Sequence, residues 1–249
     1  MPTPPSQSNV AGETAAARPF RARMRLETRV ALRFSAAVAL GLVILFVPAG
    51  SFHFWQGWIY LGLVLGPTLG AFVYFLKVDR EFLERRLAMK EQVREQRLLL
   101  LWLQPVFFAI FLIPGFDHRL GWSRTLAGTV PLWLNLLAGA LILAGIFIVV
   151  WAMNVNRFAA HTIRVETGQK VICTGPYALV RHPLYAGSVV LWLFTPLALG
   201  SWIALPFFVL LLPFYVIRLL NEEKVLRVQL PGYVEYCQHT RYRLIPFIW

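Results

Sequence analysis

Acidic residues are scarce in this chain, with 12 Asp and Glu among 249 positions against 24 Lys and Arg. Charged residues of both signs make up only 14% of the sequence, hydrophobic residues make up 58%, and the mean hydropathy is +0.61. A soluble domain of this length could not cover its core with so little charge. Cysteine is nearly absent too. Cys173 and Cys237 are the two present, which excludes a disulfide framework and reads as free thiols in a reducing compartment. Neither Cys-x-x-Cys nor His-Glu-x-x-His spacing occurs, so no metal is expected. No glycine fingerprint follows a strand-like segment, which argues against a Rossmann dinucleotide domain. No basic stripe with interleaved aromatics stands apart from the apolar segments, so no nucleic-acid partner is expected. There is no internal repeat of the transporter kind, and nothing calls for an obligate protein partner.

What the chain does have is long uncharged runs, at 34–50, 51–76, 98–116, 125–153 and 184–217. The last run, as one straight helix at about 1.5 Å per residue, would reach about 51 Å against a hydrocarbon core of about 30 Å. It is therefore expected to fold back at Leu199-Gly200-Ser201, with Pro196, Pro206 and Pro213 breaking it into short kinked halves. The predicted fold is an all-α polytopic membrane protein with about six membrane segments, four spans plus a C-terminal helical hairpin. Of the Lys and Arg residues, only Arg119 and Arg124 fall outside the segments assigned to the cytoplasm. That places both termini inside, in a bacterial-type inner or plasma membrane. The organisation read from this pattern is a disordered basic segment over 1–30, four transmembrane helices over 31–153, and a functional region over 154–249. The polar stretch 77–97 mixes basic and acidic residues with Phe82, Leu83, Leu87 and Val93 and reads as a partly amphipathic surface helix that serves chiefly as a solvated connector.

The stretch 170–187, KVICTGPYALVRHPLYAG, carries the chemistry. Gly175-Pro176 makes a turn, and Pro183 can open a helix because its missing N–H would have no partner there in any case. Arg181 and His182 then flank a helix N-terminus, whose partial positive charge and free N–H groups suit a carboxylate or phosphate. Tyr185 falls one turn inside, on the His182 face. Gly187 leaves room for another backbone or a flat ligand. The same residues would also serve as plain interface anchors, with Arg181 and His182 marking a cytoplasmic helix end and Tyr185 an aromatic belt. A second polar cluster closes the last apolar run: Arg218, Asn221, Glu222, Glu223 and Lys224, followed by PGYVEY and RLIPFIW. Arg218 and Glu222 are four residues apart and can form a helical ion pair. Two adjacent carboxylates at a membrane exit are costly unless a cation uses them.

The combination of VRHPLYAG, one hydrophobic hairpin, an Arg-x-x-x-Glu-Glu step, PGYVEY and RLIPFIW resembles the isoprenylcysteine carboxyl methyltransferase family, which takes in phospholipid methyltransferase-like proteins. The resemblance covers about residues 154–249. It departs from the family where Lys170-Val171-Ile172-Cys173 stands in place of the usual His-x-Leu-Val-Thr. The resemblance implies S-adenosylmethionine as methyl donor in a cytoplasm-facing pocket. It implies cofactor contacts from Lys170, Val171, Ile172, Cys173, Tyr177, Arg181, His182, Pro183, Leu184, Tyr185 and Glu223, with Glu222 in support; Arg218, suited to hold an acceptor carboxylate, and Glu222 are the candidate catalytic residues. The acceptor it implies is a lipophilic molecule or lipid drawn from the bilayer. An isoprenylcysteine-like carboxylate is the preferred acceptor, and a phospholipid amine or a thiol is the alternative. An amine acceptor would need a base, for which Glu222 or His161 is available. A membrane sterol or steroid reductase using NADPH shares an Arg-His-x-x-Tyr turn and is the competing class.

Overall fold

The computed structural model describes residues 25–88, 94–158 and 168–249, and every regular element among them is helical. The chain is an all-α polytopic membrane protein. Helices α1 (Leu26–Ala49), α2 (Trp55–Val78), α4 (Arg94–Leu120) and α6 (Leu132–Val155) follow the four expected spans. Helix α3 (Arg80–Ala88) links α2 to the α4 side, and the short α5 (Trp122–Leu126) follows α4. Helix α7 (Pro183–Ala198) turns back into α8 (Ala204–Val209) and α9 (Leu212–Gln229), and α10 (Tyr233–His239) lies beyond. Among the described residues, α1, α2, α6 and the continuous stretch Ala204–Gln229 are long and apolar enough to cross a membrane. At 16 residues, α7 is shorter than a regular span.

Local sequence explains the boundaries. Gly50 ends α1 in the left-handed conformation at φ 61°, and its N–H reaches the carbonyls of Phe46 and Val47. Asp79 separates α2 from α3 and accepts the Phe82 N–H at 3.0 Å, as a helix cap does. The run 125–153 is not one helix, since its first two residues close α5. Gly128 at φ 79° and Pro131 delay α6 to Leu132. The expected fold-back is where its composition put it, with α7 ending at Ala198 and Gly200 at φ 75° turning the chain.

Packing then fixes the hairpin. Helices α6 and α7 approach so closely at Gly145 and Gly187 that a Cβ on Gly187 would lie 2.6 Å from the Gly145 carbonyl oxygen. Of the two uses the sequence left open for Gly187, the structure shows the close backbone. Asn135 of α6 donates to the Leu197 carbonyl, and Tyr60 of α2 meets Thr195 of α7 at 3.2 Å. Gln104 is exposed on α4. At the far end of the hairpin, the buried carboxylate of Asp117 accepts bonds from the hydroxyls of Ser123 and Ser201 and, at 2.7 Å, from the Ser123 N–H. Ser123 Oγ in turn accepts the N–H groups of Trp202 and Ile203. The α7–α8 turn is thereby latched to the α4–α5 corner.

Candidate functional site

The opposite end of α7 gathers most of the singled-out residues. Gly175–Ala178 forms a short 3-10 turn, with Pro176 near its start. His182 is the N-cap of α7 and Pro183 its first residue, as the missing Pro N–H favours. The N–H groups of Arg181 and His182 are not free. They bond the carbonyls of Tyr242 and Arg243 at 2.9 and 3.0 Å, so the closing segment 240–249 runs as a strap along this turn. The first-turn N–H groups of Leu184 and Tyr185 have no acceptor within their own helix.

Arg181 and His182 project onto Glu223 of α9. Arg181 Nη1 lies 3.0 Å and His182 Nε2 3.3 Å from Glu223 Oε1. The other carboxylate oxygen, Oε2, faces Arg243 Nε at 3.2 Å and Arg227 Nη2 at 3.8 Å. Glu223 is only 3% exposed and Arg181 7%, so this is a buried carboxylate compensated by several donors, the arrangement that lets such a charge survive out of water. Arg181 is further fixed by a bond from Nη2 to the Arg241 carbonyl at 3.2 Å.

Glu222, its neighbour, is half-buried and points elsewhere. Tyr185 Oη donates to Glu222 Oε2 at 2.7 Å, and the Tyr185 ring meets the His182 ring edge-on with centroids 5.8 Å apart. Arg218, one turn before Glu222, acts on the same Tyr185 hydroxyl. Tyr177 is buried nearby. Burial pushes its phenol up to about 12, the hydrogen bond with Asn156 opposes that, and the Glu222 charge adds to it. The Tyr177 carbonyl accepts Tyr236 Oη at 2.7 Å and Thr240 Oγ1 at 3.4 Å, tying α10 and the strap to the turn. Burial likewise raises the phenols of Tyr233 and Tyr236.

The segment Lys170–Cys173 borders this cluster unevenly. Lys170 and Cys173 are exposed, Val171 and Ile172 are half-buried, and Val171 packs against Leu230, Tyr233 and Tyr236. Leu184 is half-buried in the first turn of α7. His161 lies outside the described residues.

Several neighbours were not singled out by sequence reasoning. Arg243 and Arg227 hold Glu223, and Asn156 meets Tyr177. Arg86 of α3 has its guanidinium pKa lowered by burial and interacts electrostatically with Tyr177. The signal for Arg86 lies in its spacing, because Phe82 and Leu83, one turn earlier, are both 1% exposed and so define an inward face that Arg86 shares. The stretch read as a solvated connector thus has one side turned towards the site.

An apolar groove of about 280 Å³ runs between α2 and α6, lined by Pro67, Gly70, Ala71, Leu143, Phe147 and Val150 among others. Tyr74, at its edge, donates to Asn154 at 3.0 Å, two residues before the Asn156 that meets Tyr177.

Comparison with known proteins places this region in a class. Residues 133–230 match the phospholipid methyltransferase family, a family of membrane methyltransferases that includes isoprenylcysteine carboxyl methyltransferases. The matched segment takes in α6 through α9 and stops before α10 and the strap. The chain is also similar to delta(14)-sterol reductase of Mus musculus, at 32% identity over 95 residues, or 36% of this chain and 22% of the mouse protein. The chain therefore spans about a fifth of that relative.

Proposed function

We propose that this protein is an integral membrane methyltransferase that uses S-adenosylmethionine to methylate a lipophilic acceptor, with a carboxylate of the isoprenylcysteine kind preferred over a phospholipid amine or a thiol. The observation that carries the reading is the overlap of the matched family segment, 133–230, with the cluster of Tyr185, Arg218, Glu222 and Glu223. The residues present suit the donor's chemistry. Half-buried Glu222 offers a carboxylate for its ammonium, the first-turn N–H groups of Leu184 and Tyr185 offer the dipole end of α7 to its carboxylate, and the Tyr177 and Tyr185 rings suit its cationic sulfur. S-adenosylmethionine bound there supplies an electrophilic methyl group.

Glu223 takes a different role from the direct ligand expected of it. With Arg181, His182, Arg243 and Arg227 around it, it organises the cations that shape the pocket wall, and Lys170 to Cys173 borders the pocket from the water side. Arg218 holds an acceptor carboxylate, already ionised at neutral pH, and orients it for in-line attack, so alignment and exclusion of water are the protein's main contributions. The groove between α2 and α6 suits the acceptor's hydrocarbon part, because it is apolar and its Tyr74 edge leads through Asn154 and Asn156 towards Tyr177. The region 154–249 acts with α6 rather than alone, since the family segment begins within α6.

The similarity to a sterol reductase favours a second reading, an NADPH-dependent reductase. Two adjacent carboxylates would repel cofactor phosphates, yet Glu223 is already neutralised by its neighbours, so that objection rests on Glu222. Donor binding separates the two readings. Transfer of a labelled methyl group to a panel of prenylcysteines, phosphatidylethanolamine, thiols and fatty acids identifies the acceptor, and no transfer to any lipophilic acceptor would remove the proposal.

A further inference from the structure

The strap that covers Arg181 and His182 ends in a loop with an unusual distribution of apolar side chains. Leu244 is buried, but Ile245 is 50%, Phe247 87% and Ile248 76% exposed. This outward arrangement is built in. A Trp249 main-chain oxygen accepts three N–H groups, from Arg243 at 2.8, Leu244 at 3.0 and Ile245 at 3.2 Å, while the Ile248 and Trp249 N–H groups return to the Ile245 carbonyl. Phe247 is held at φ 67°, a left-handed conformation that a bulky side chain adopts only when its surroundings impose it. The Phe247 ring meets only that of Tyr242 among the aromatic contacts of the described residues, at 5.4 Å between centroids, and a loop that accepts this strain while leaving Phe247 and Ile248 largely uncovered has another medium to bury them in.

The position of the loop says which medium. Its stem is bonded through Tyr242 and Arg243 to the N–H groups of Arg181 and His182, directly before Pro183, where the apolar helix α7 begins. The loop therefore sits level with the point where the chain passes from polar to apolar surroundings. Exposed Arg241 precedes the stem and exposed Arg227 reaches the same Glu223 oxygen as Arg243, at 3.8 Å, while Lys224 and, on α10, Glu235 are also exposed. An apolar tip with a basic collar at a helix entry matches the headgroup boundary of an anionic bilayer.

We propose that the loop 245–248 is a membrane anchor that inserts Phe247 and Ile248 into the bilayer surface and thereby holds the strap closed over the Glu223 cluster. The coupling runs through Arg243. Its side chain meets Glu223 at 3.2 Å and lies over the Trp249 ring at 5.3 Å, and its main chain takes part in both the loop and the His182 contact. The inference is independent of which group the enzyme transfers.

The test uses the full chain in nanodiscs of phosphatidylethanolamine and phosphatidylglycerol, with the photoreactive p-benzoylphenylalanine at position 247 and, as control, at Glu235. Irradiation followed by mass spectrometry should give phospholipid adducts from position 247 and none from 235. Absence of lipid adducts at 247, or crosslinks from 247 to a second copy of the chain, would overturn the anchor. Hydrogen exchange on Phe247→Asp/Ile248→Asp reads the coupling. Both side chains are exposed, so thermal stability in detergent should be retained, while the Arg181 and His182 amides lose protection in nanodiscs. Unchanged protection there would show that the strap holds itself closed and would overturn the coupling.

Discussion

Among the individual side chains, the adjacent carboxylates Glu222 and Glu223 separate into unlike environments. Glu223 is buried among cations, so Glu223→Gln strands Arg181 beside His182 and Arg243 and should cost about 3 to 5 kcal/mol of stability, seen as a lower melting temperature in detergent. Glu222→Gln, which loses a half-buried acceptor for Tyr185, should melt close to wild type and instead weaken S-adenosylmethionine binding by about 1.5 to 3 kcal/mol in titration calorimetry. Equal melting losses in the two variants would erase the distinction. Arg218→Lys makes a kinetic forecast: donor affinity stays near wild type while turnover falls, because a point charge cannot reproduce two-pronged alignment of a carboxylate. Near-normal turnover would remove Arg218 from acceptor binding. The sequence shows why Glu222 and Glu223 needed cations, but not which ones, since Arg243 comes from a tail twenty residues later and reaches Glu223 only through the strap's backbone bonds to Arg181 and His182.

The helical elements depend on two contrasting devices, close backbone packing near the site and a polar latch at the far turn. Gly187→Ala places a Cβ against the Gly145 carbonyl, and the forced separation of α6 from α7 should destabilise by about 1 to 3 kcal/mol. Gly62→Ala in α2, where a Cβ meets nothing within 4 Å, should be neutral or stabilising because alanine is the better helix former. Thermal melts of the pair check this, and equal effects would show that the α6–α7 approach is not required. The hairpin was legible because an uncharged run too long for one crossing contains glycine and proline at the right places. Asp117 was not, because at the edge of an apolar run it reads as an ordinary loop charge, and only the folded turn brings Ser123 and Ser201 to it. Helix α3 was legible in part. Phe82 and Leu83 mark its apolar side in the sequence, but its balanced charges hide that this side packs against Leu26, Val30 and Phe75 and turns Arg86 inwards.

For the whole molecule, the asymmetry of Lys and Arg predicts which end of the bundle faces the cytoplasm, and the candidate site lies at that end. The native exposed thiol of Cys173 should react with an impermeant maleimide from the cytoplasmic side of oriented vesicles. A cysteine introduced at exposed Leu126, beyond α4, should react from the outside. The reverse pattern would overturn both the topology and the direction from which a soluble donor arrives. Composition carried the number and class of the apolar elements, because length and charge alone decide what crosses a bilayer. It carried less about the reaction, because the methyltransferase and reductase readings share the Arg-His-x-x-Tyr turn and differ in the cofactor that turn serves. The most direct measurement is therefore titration of S-adenosylmethionine and of NADPH into the protein in nanodiscs. Saturable binding of S-adenosylmethionine that weakens in Glu222→Gln, with no binding of NADPH, is the predicted result, and saturable binding of NADPH with none of S-adenosylmethionine would contradict it.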